Sequence, residues 1–339
     1  MEASILAQFK TLFESPKKTV IIGHKNPDGD AVGSALGLYW FLNAIGHQVQ
    51  VIMPNDFPDF LKWMPGQQTI LIYDKQQDKV IEALKSSEVV CTLDLNDLSR
   101  VGELSELLTP MEQSFVMIDH HQQPGDYAHL TWSDTSMSST SEMVAQLIEA
   151  WTGWSGLNAA VATNLYTGIM TDTGSFKFPA TTATTHRIIA ALIDAGAAHS
   201  EIHQEVYDTQ SPGRLKLLGR ALAQLEIFPK WHTAFTYLNQ NDLDQCDFKK
   251  GDTEGFVNYA LQLKGIKFAL IFIENQNEGI TKISLRSVGD FSVNNFARKH
   301  FNGGGHNNAA GGRYQGAPQQ AIDYFLTCLP GYKAELDAA

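Results

Sequence analysis

One histidine and two aspartates follow an apolar run in Ile21-Ile22-Gly23-His24-Lys25-Asn26-Pro27-Asp28-Gly29-Asp30. Imidazole and carboxylate groups crowded into one turn suit two jobs, holding a divalent cation or capping a helix that begins near Ala31. Taken alone, this segment fits both. The pattern then recurs. Val90-Cys91-Thr92-Leu93 runs into Asp94, Val116-Met117-Ile118 runs into Asp119-His120-His121, and Gly168-Ile169-Met170-Thr171 runs into Asp172 and a glycine-containing loop. Capping does not explain several apolar runs that all end in Asp or His. Carboxylates and imidazoles gathered at one sheet edge would repel one another unless cations were present. Mixed imidazole and carboxylate donors without thiolate suit manganese, iron, cobalt or zinc, while magnesium prefers oxygen donors and retained waters. Two such ions about 3.5–4 Å apart can supply a hydroxide at neutral pH and clamp a phosphoryl group.

Gathering these residues requires a sheet whose strands all end on the same side. Residues 19–23, 49–53, 89–93 and 115–118 are short apolar runs that read as buried strands, and residues 31–42 and 78–84 between them have helical spacing. That alternation predicts an α/β fold with a parallel sheet, whose ligands bind beyond the carboxyl ends of the strands. After Ser141 the pattern turns helical through residues 141–150, 158–170 and 181–195, and 200–225 continues as a helical connector. Strand-like runs at 233–238, 268–273 and 280–286 with helices near 255–263 and 293–301 predict a second, smaller α/β domain with a mixed sheet. The expected division is a first domain over 1–195 with helices on both faces of its sheet, a linker over 196–227 and a second domain over 228–339.

Composition limits the partners. The chain has 339 residues, 43% apolar and 18% charged, with 25 Lys and Arg against 37 Asp and Glu. The formal charge of −12 argues against broad attraction to duplex DNA, which depends on many cationic contacts to phosphate. Cys91, Cys246 and Cys328 are far apart and form no CxxC pair, so neither a zinc knuckle nor a disulfide framework is expected and a reducing cytoplasm is predicted. No apolar stretch approaches the roughly 18 residues of a membrane span. Residues 1–18 carry Ile5, Phe9, Leu12 and Phe13 at helical spacing and read as a docked amphipathic helix.

The four segments, in order, resemble the DHH phosphoesterase family, named for the tripeptide present here as Asp119-His120-His121. That resemblance implies one ion, usually manganese, on His24, Asp28 and Asp94, and a second on Asp30, Asp94, His120 and Asp172, with Asp94 bridging. Cobalt, iron, zinc and magnesium are the other ions such donors accept. His121 is then expected to face the substrate phosphate and Asp119 to orient the site. Near the C-terminus, Ser284-Leu285-Arg286-Ser287 and Gly303-Gly304-Gly305-His306-Asn307-Asn308-Ala309-Ala310-Gly311-Gly312 are similar to the DHHA1 domain that accompanies one branch of the family. It implies a nucleotide-binding role for Arg286, Gly303, Gly304, Gly305 and His306, with the Gly-rich segment read as a phosphate-approaching loop. Asn307 and Asn308 stand where many relatives place a basic residue.

Resemblance to the stand-alone DHH/DHHA1 branch, the nanoRNase-like proteins, implies two-metal hydrolysis of short oligonucleotides and dinucleotides such as pApA in a cleft between the domains. A second activity on 3′-phosphoadenosine 5′-phosphate and a homodimeric assembly come with it. Hydrolysis of cyclic di-AMP is the alternative. An exopolyphosphatase or pyrophosphatase, or a nucleotide-binding module without chemistry, fits less well, because the ligand set is complete and the second domain offers few cations. No membrane association is expected.

Overall fold

A computed structural model describes residues 2–109 and 111–339. Met1, which falls within the predicted amphipathic helix, lies outside the described residues. The chain forms two compact units, Met1–Thr209 and Gln210–Ala339. Among the described residues no helix is long and apolar enough to cross a membrane.

The first unit contains, in order, α1 (Ala3–Leu12), β1 (Lys18–Ile22), α2 (Gly29–Ala44), β2 (Gln48–Met53), β3 (Leu71–Ile72), α3 (Gln77–Ser86), β4 (Val89–Leu93), α4 (Ser105–Leu108), β5 (Ser114–Asp119), β6 (Leu130–Ser133), α5 (Thr140–Thr152), α6 (Ala159–Asp172), α7 (Ala183–Asp194) and α8 (His199–His203). Its strands pair in the order β3-β2-β1-β4-β5-β6, and every pairing is parallel. The apolar runs of β1, β4 and β5 are continuous because both sheet faces are covered. Ile21, Cys91, Val116 and Ile118 join a core with α2, α5 and α6, whereas Val20, Ile22, Val90 and Phe115 pack with Val80 and Leu84 of α3 on the other face. From β1 the chain steps outward to β2 and β3, then returns to β4 on the other side of β1. The point where the strand order reverses therefore lies between β1 and β4, where open parallel sheets place their ligands.

Helix α2 packs tightly on α6. Gly29, Gly33 and Gly37 recur every four residues along one face, and a Cβ at Gly33 would lie 2.6 Å from the Asn164 carbonyl oxygen and 2.9 Å from the Gly168 nitrogen. Those are backbone atoms that cannot swing aside, so only glycine allows the approach. Gly29 faces Thr171 and Gly37 faces Leu165, so the helices run antiparallel and the start of α2 meets the end of α6.

The second unit holds α9 (Pro212–Ala223), β7 (Glu226–Phe228), β8 (Thr233–Leu238), α10 (Gln240–Gln245), α11 (Val257–Leu261), β9 (Phe268–Asn275), β10 (Ile280–Ser287), α12 (Val293–His300), β11 (Gly304–Gly305), β12 (Ala309–Gln315), α13 (Pro318–Cys328) and α14 (Lys333–Ala338). Its mixed sheet has the order β11-β12-β10-β9-β8-β7, with only β8 and β9 parallel. Phe235, Phe268 and Phe272 bury one face against Phe296 and Phe325, and Ala234, Ala269 and Ile271 bury the other against α9 and α11. The Gly-rich segment read as a loop is instead a hairpin of β11 and β12. Its glycines serve close packing: a Cβ at Gly312 would lie 2.7 Å from Phe301 Cβ. The short strands β3, β6 and β7, of two to four residues, have no counterpart in the sequence reading.

Candidate metal centre

The residues singled out in the first unit come from four chain segments. His24 follows β1 after Gly23, Asp94 follows β4, Asp119 ends β5 with His120 and His121 directly after it, and Asp172 ends α6. The glycine contact between α2 and α6 brings Asp30, at the start of one helix, beside Asp172 at the end of the other. Asp28 is the N-cap of α2, its Oδ1 accepting from the amides of Asp30 and Ala31 at 3.1 Å each. It also lies within ligand range of His24 and Asp94. Capping and cation binding, alternatives in the sequence, are compatible in the structure. Asp94 sits in the left-handed region at φ +59°, a conformation that Asp tolerates better than most residues. Its amide stays on the sheet ladder, donating to Ile118 O at 3.1 Å, and its carbonyl accepts from Arg100 Nη1 at 3.4 Å.

Two imidazoles share Asp94. His24 Nε2 lies 3.4 Å from Asp94 Oδ2 and 3.8 Å from Asp28 Oδ1. His120 Nε2 lies 3.5 Å from Asp94 Oδ1, 3.5 Å from Asp172 Oδ2 and 3.8 Å from Asp30 Oδ2. Each ring turns its other nitrogen to a backbone carbonyl: His24 Nδ1 is 2.9 Å from Lys25 O, and His120 Nδ1 is 3.2 Å from Met137 O. A carbonyl only accepts, so each Nδ1 carries a proton, and Nε2 is the ring atom turned to the carboxylate oxygens. Nε2 and these oxygens meet favourably only with a positive charge between them, a proton on the imidazole or a bound metal ion.

Burial makes that requirement severe, for His24, Asp30, Asp94 and His120 are all nearly inaccessible. Burial alone would lower the His24 imidazole, but Asp28 and Asp94 outweigh it and hold it up at about 10. Burial likewise opposes a charged His120, and Asp94 with Asp172 holds it well above its ordinary value. Burial, then the charges of Asp94 and Asp172, push Asp30 well above the carboxylate range. Burial would also raise Asp94, and His120 and His24 pull it well below. Asp172 adds a carboxylate at the negative end of the α6 dipole. These donors fit two divalent ions: His24, Asp28 and Asp94 form one cluster, and Asp30, His120 and Asp172 form another beside Asp94 Oδ1.

His121 stands next to the clusters. Its Nδ1 donates to Asp119 Oδ1 at 2.8 Å and its amide to Asp119 Oδ2 at 2.9 Å, so a fully buried carboxylate fixes the ring from two directions. Cys91, on the β4 strand, is buried and its thiol is pushed up to about 12 by burial, an inert packing group. Trp151 packs on Phe13 and Phe41, and His47 accepts from the Lys17 amide, both structural.

In the second unit Arg286 pairs across the ladder with Ala309, and the His306 amide donates to Ala309 O at 2.7 Å, so strand pairing brings these two side chains to one end of the sheet. Asn308, in a position where relatives are expected to carry a basic residue, has a structural role of its own. Its amide donates to Ser287 Oγ and Gly289 O, both at 2.9 Å, tying the hairpin tip to the strand that carries Arg286.

Two residues beside the centre lie outside the sequence reading. Arg100 has no signal around it, whereas Thr140 sits in Ser139-Thr140-Ser141-Glu142, a capping pattern that marks the start of a helix without revealing what lies opposite.

Residues 18–169 match the DHH family, N-terminal domain, and residues 235–329 match the DHHA1 domain. The chain is 31% identical over 300 residues to the bifunctional oligoribonuclease and PAP phosphatase NrnA of Thermus thermophilus, covering 87% of this chain and 84% of that one. It is 29% identical over 293 residues to the protein of that name from Bacillus subtilis, covering 85% and 86%. A crystal structure of an exopolyphosphatase-related protein from Bacteroides fragilis superimposes with a TM-score of 0.94 at 40% identity, over 99% of this chain and 98% of that one.

Proposed function

The chain belongs to the DHH family and carries the DHHA1 domain, and from that premise we propose that it hydrolyses short oligonucleotides such as pApA, and 3′-phosphoadenosine 5′-phosphate, with manganese as its ion. The relatives named for oligoribonuclease and PAP phosphatase activity, matched over most of their length, support this substrate class. The observation that carries the reading is Asp94, with one carboxylate oxygen turned to each of two imidazoles.

His24, Asp28 and Asp94 would hold one ion, and Asp30, Asp94, His120 and Asp172 the other. Bound there, the ions supply activation of water at neutral pH and neutralise charge developing at phosphorus. Asp119 holds the His121 ring with Nδ1 as donor, which leaves Nε2 as the atom that takes up or delivers a proton at the substrate. Arg286 offers a guanidinium fork to phosphate, and Gly303, Gly304, Gly305 and His306 form the rest of the nucleotide anchor. The net charge of −12 favours short substrates over long strands that must cross an anionic surface.

Purified protein with Mn2+ should be compared on pApA, 3′-phosphoadenosine 5′-phosphate, cyclic di-AMP, pyrophosphate and polyphosphate. AMP release from pApA with the highest kcat/KM is expected. Turnover of polyphosphate without AMP release from pApA would overturn the assignment.

A further inference from the structure

Ser138-Ser139-Thr140-Ser141-Glu142 is a run of four hydroxyls and a carboxylate, and all five residues are at most 3% exposed. Burying so many polar groups is unfavourable unless each is matched. The first-turn amides of α5 also need acceptors that the helix cannot supply. The hydroxyl of Ser139, the N-cap, accepts from the Glu142 amide at 3.0 Å. The other two amides reach across 110 residues of chain: Thr140 N donates to Asp30 Oδ2 at 2.7 Å and Ser141 N to Asp30 Oδ1 at 2.8 Å. The Thr140 hydroxyl donates to Asp94 Oδ1 at 3.1 Å.

We infer that Thr140 is a positioning residue of the metal centre, fixing Asp94 through its hydroxyl and, with the Ser141 amide, Asp30 through its backbone. This rests on the metal-ligand reading given above. Asp30 has an N–H on each oxygen, so its remaining lone pairs can point in only one sector. Asp94 Oδ1 is pinned on the side away from His24. One helix terminus therefore sets the separation of the two carboxylates. The terminus is itself anchored. Glu142 accepts from the Ser138 hydroxyl and from Thr185 Oγ1 at 2.9 Å on α7, and from Gln146 Nε2 at 3.3 Å. Gly168 on α6 has no side chain where Ser141 Oγ now sits, which lets α5 start this close to Asp30.

The test is Mn2+ binding to the metal-stripped full-length chain, by calorimetry and by the electron paramagnetic resonance signal of coupled ions. Groups that orient metal ligands typically contribute 10–100-fold to affinity. Thr140→Val should therefore weaken Mn2+ binding about 10-fold or more and alter the coupled signal, while kcat on pApA falls and KM is little changed. Thr140→Ser, which keeps the hydroxyl, should restore all three. Glu142→Gln puts an amide where hydroxyl and amide donors now converge, and should weaken Mn2+ binding without touching a ligand; it decides in place of Thr140→Val if that variant unfolds. Wild-type protein that binds no Mn2+ overturns the metal reading itself. Wild-type binding matched by Thr140→Val in affinity and signal overturns the positioning role alone.

Discussion

Replacing Asp94 by Asn should remove both ions together, whereas replacing Asp172 by Asn should remove one. Asp94 Oδ2 is 3.4 Å from His24 Nε2 and Oδ1 is 3.5 Å from His120 Nε2, so one carboxylate serves both clusters, while Asp172 belongs to the cluster of Asp30 and His120. Asn is a cleaner choice than Ala. At φ +59° a residue with an ordinary side chain is strained by about 1–2 kcal/mol, and Asn is among the few that tolerate this region. The substitution removes one of the charges that push Asp30 upward but also the carboxylate that holds His24 and His120 charged, so each variant's shift is measured against its own metal-free protein.

The magnitude follows from linkage. An ion at 100 times its Kd stabilises the folded state by about 2.7 kcal/mol, and two independent ions by roughly twice that. In a unit of about 200 residues each kcal/mol moves Tm by about 2–4 °C, which gives a shift of roughly 10–20 °C for wild type. Asp172→Asn should show about half of it, and Asp94→Asn almost none. Calorimetric titration counts the ions, and thermal scans with and without Mn2+ measure the shift. Two ions bound to Asp94→Asn, or an undiminished shift, would refute the bridging geometry.

Arg286→Ala should raise KM for pApA chiefly, leaving kcat and Mn2+ binding near wild type; an unchanged KM contradicts its role as an anchor. Gly33→Ala places a Cβ against the Asn164 carbonyl and must force α2 away from α6, at about 1–3 kcal/mol. Its Tm should drop by several degrees and its Mn2+ affinity should fall, because Asp30 and Asp172 separate; a wild-type Tm counts against the close contact. In metal-free protein the His24 imidazole is held at about 10, above its ordinary value near 6.5. Its proton therefore contributes stability that is complete below pH 6.5 and is lost as pH rises through about 10. Thermal scans in chelator from pH 7 to 10 should show wild type losing more stability than His24→Gln, and parallel curves would exclude the coupling.

Much of the centre is legible because β1, β4 and β5 each announce their ends: an apolar run stops and a ligand follows. Strands covered on both faces give continuous runs, which is why residues 19–23, 89–93 and 115–118 stand out. Asp172 is visible for a similar reason, as an acid after a helix. Local pattern cannot show pairing across distance. Nothing around Thr140 reveals that its amide and hydroxyl meet two carboxylates far away in the chain, and nothing around Arg100 points to the Asp94 carbonyl. The Gly-rich hairpin was hidden differently: glycines signal turns, yet here Gly312 lets β12 lie against Phe301, and Gly303 and Gly305 lie close against the backbone of β12. Asn308 is an amide whose purpose appears only once Ser287 and Gly289 are beside it.

The dependence of the centre on the contact between α2 and α6 has a consequence for synthesis. His24, Asp28 and Asp30 leave the ribosome early, whereas Asp172 arrives with the last turn of α6. At about 5–20 residues per second the interval is on the order of 10–30 s. Throughout it, the nascent chain carries half of a cation site with no opposite wall. An ion encountered then would meet only the first cluster's donors, and a transition metal of higher intrinsic affinity could occupy them unopposed. Because α6 follows β1, β4 and β5 in the chain and packs through three glycines of α2, the cluster of Asp30, His120 and Asp172 is completed after the donors of the other cluster have been made.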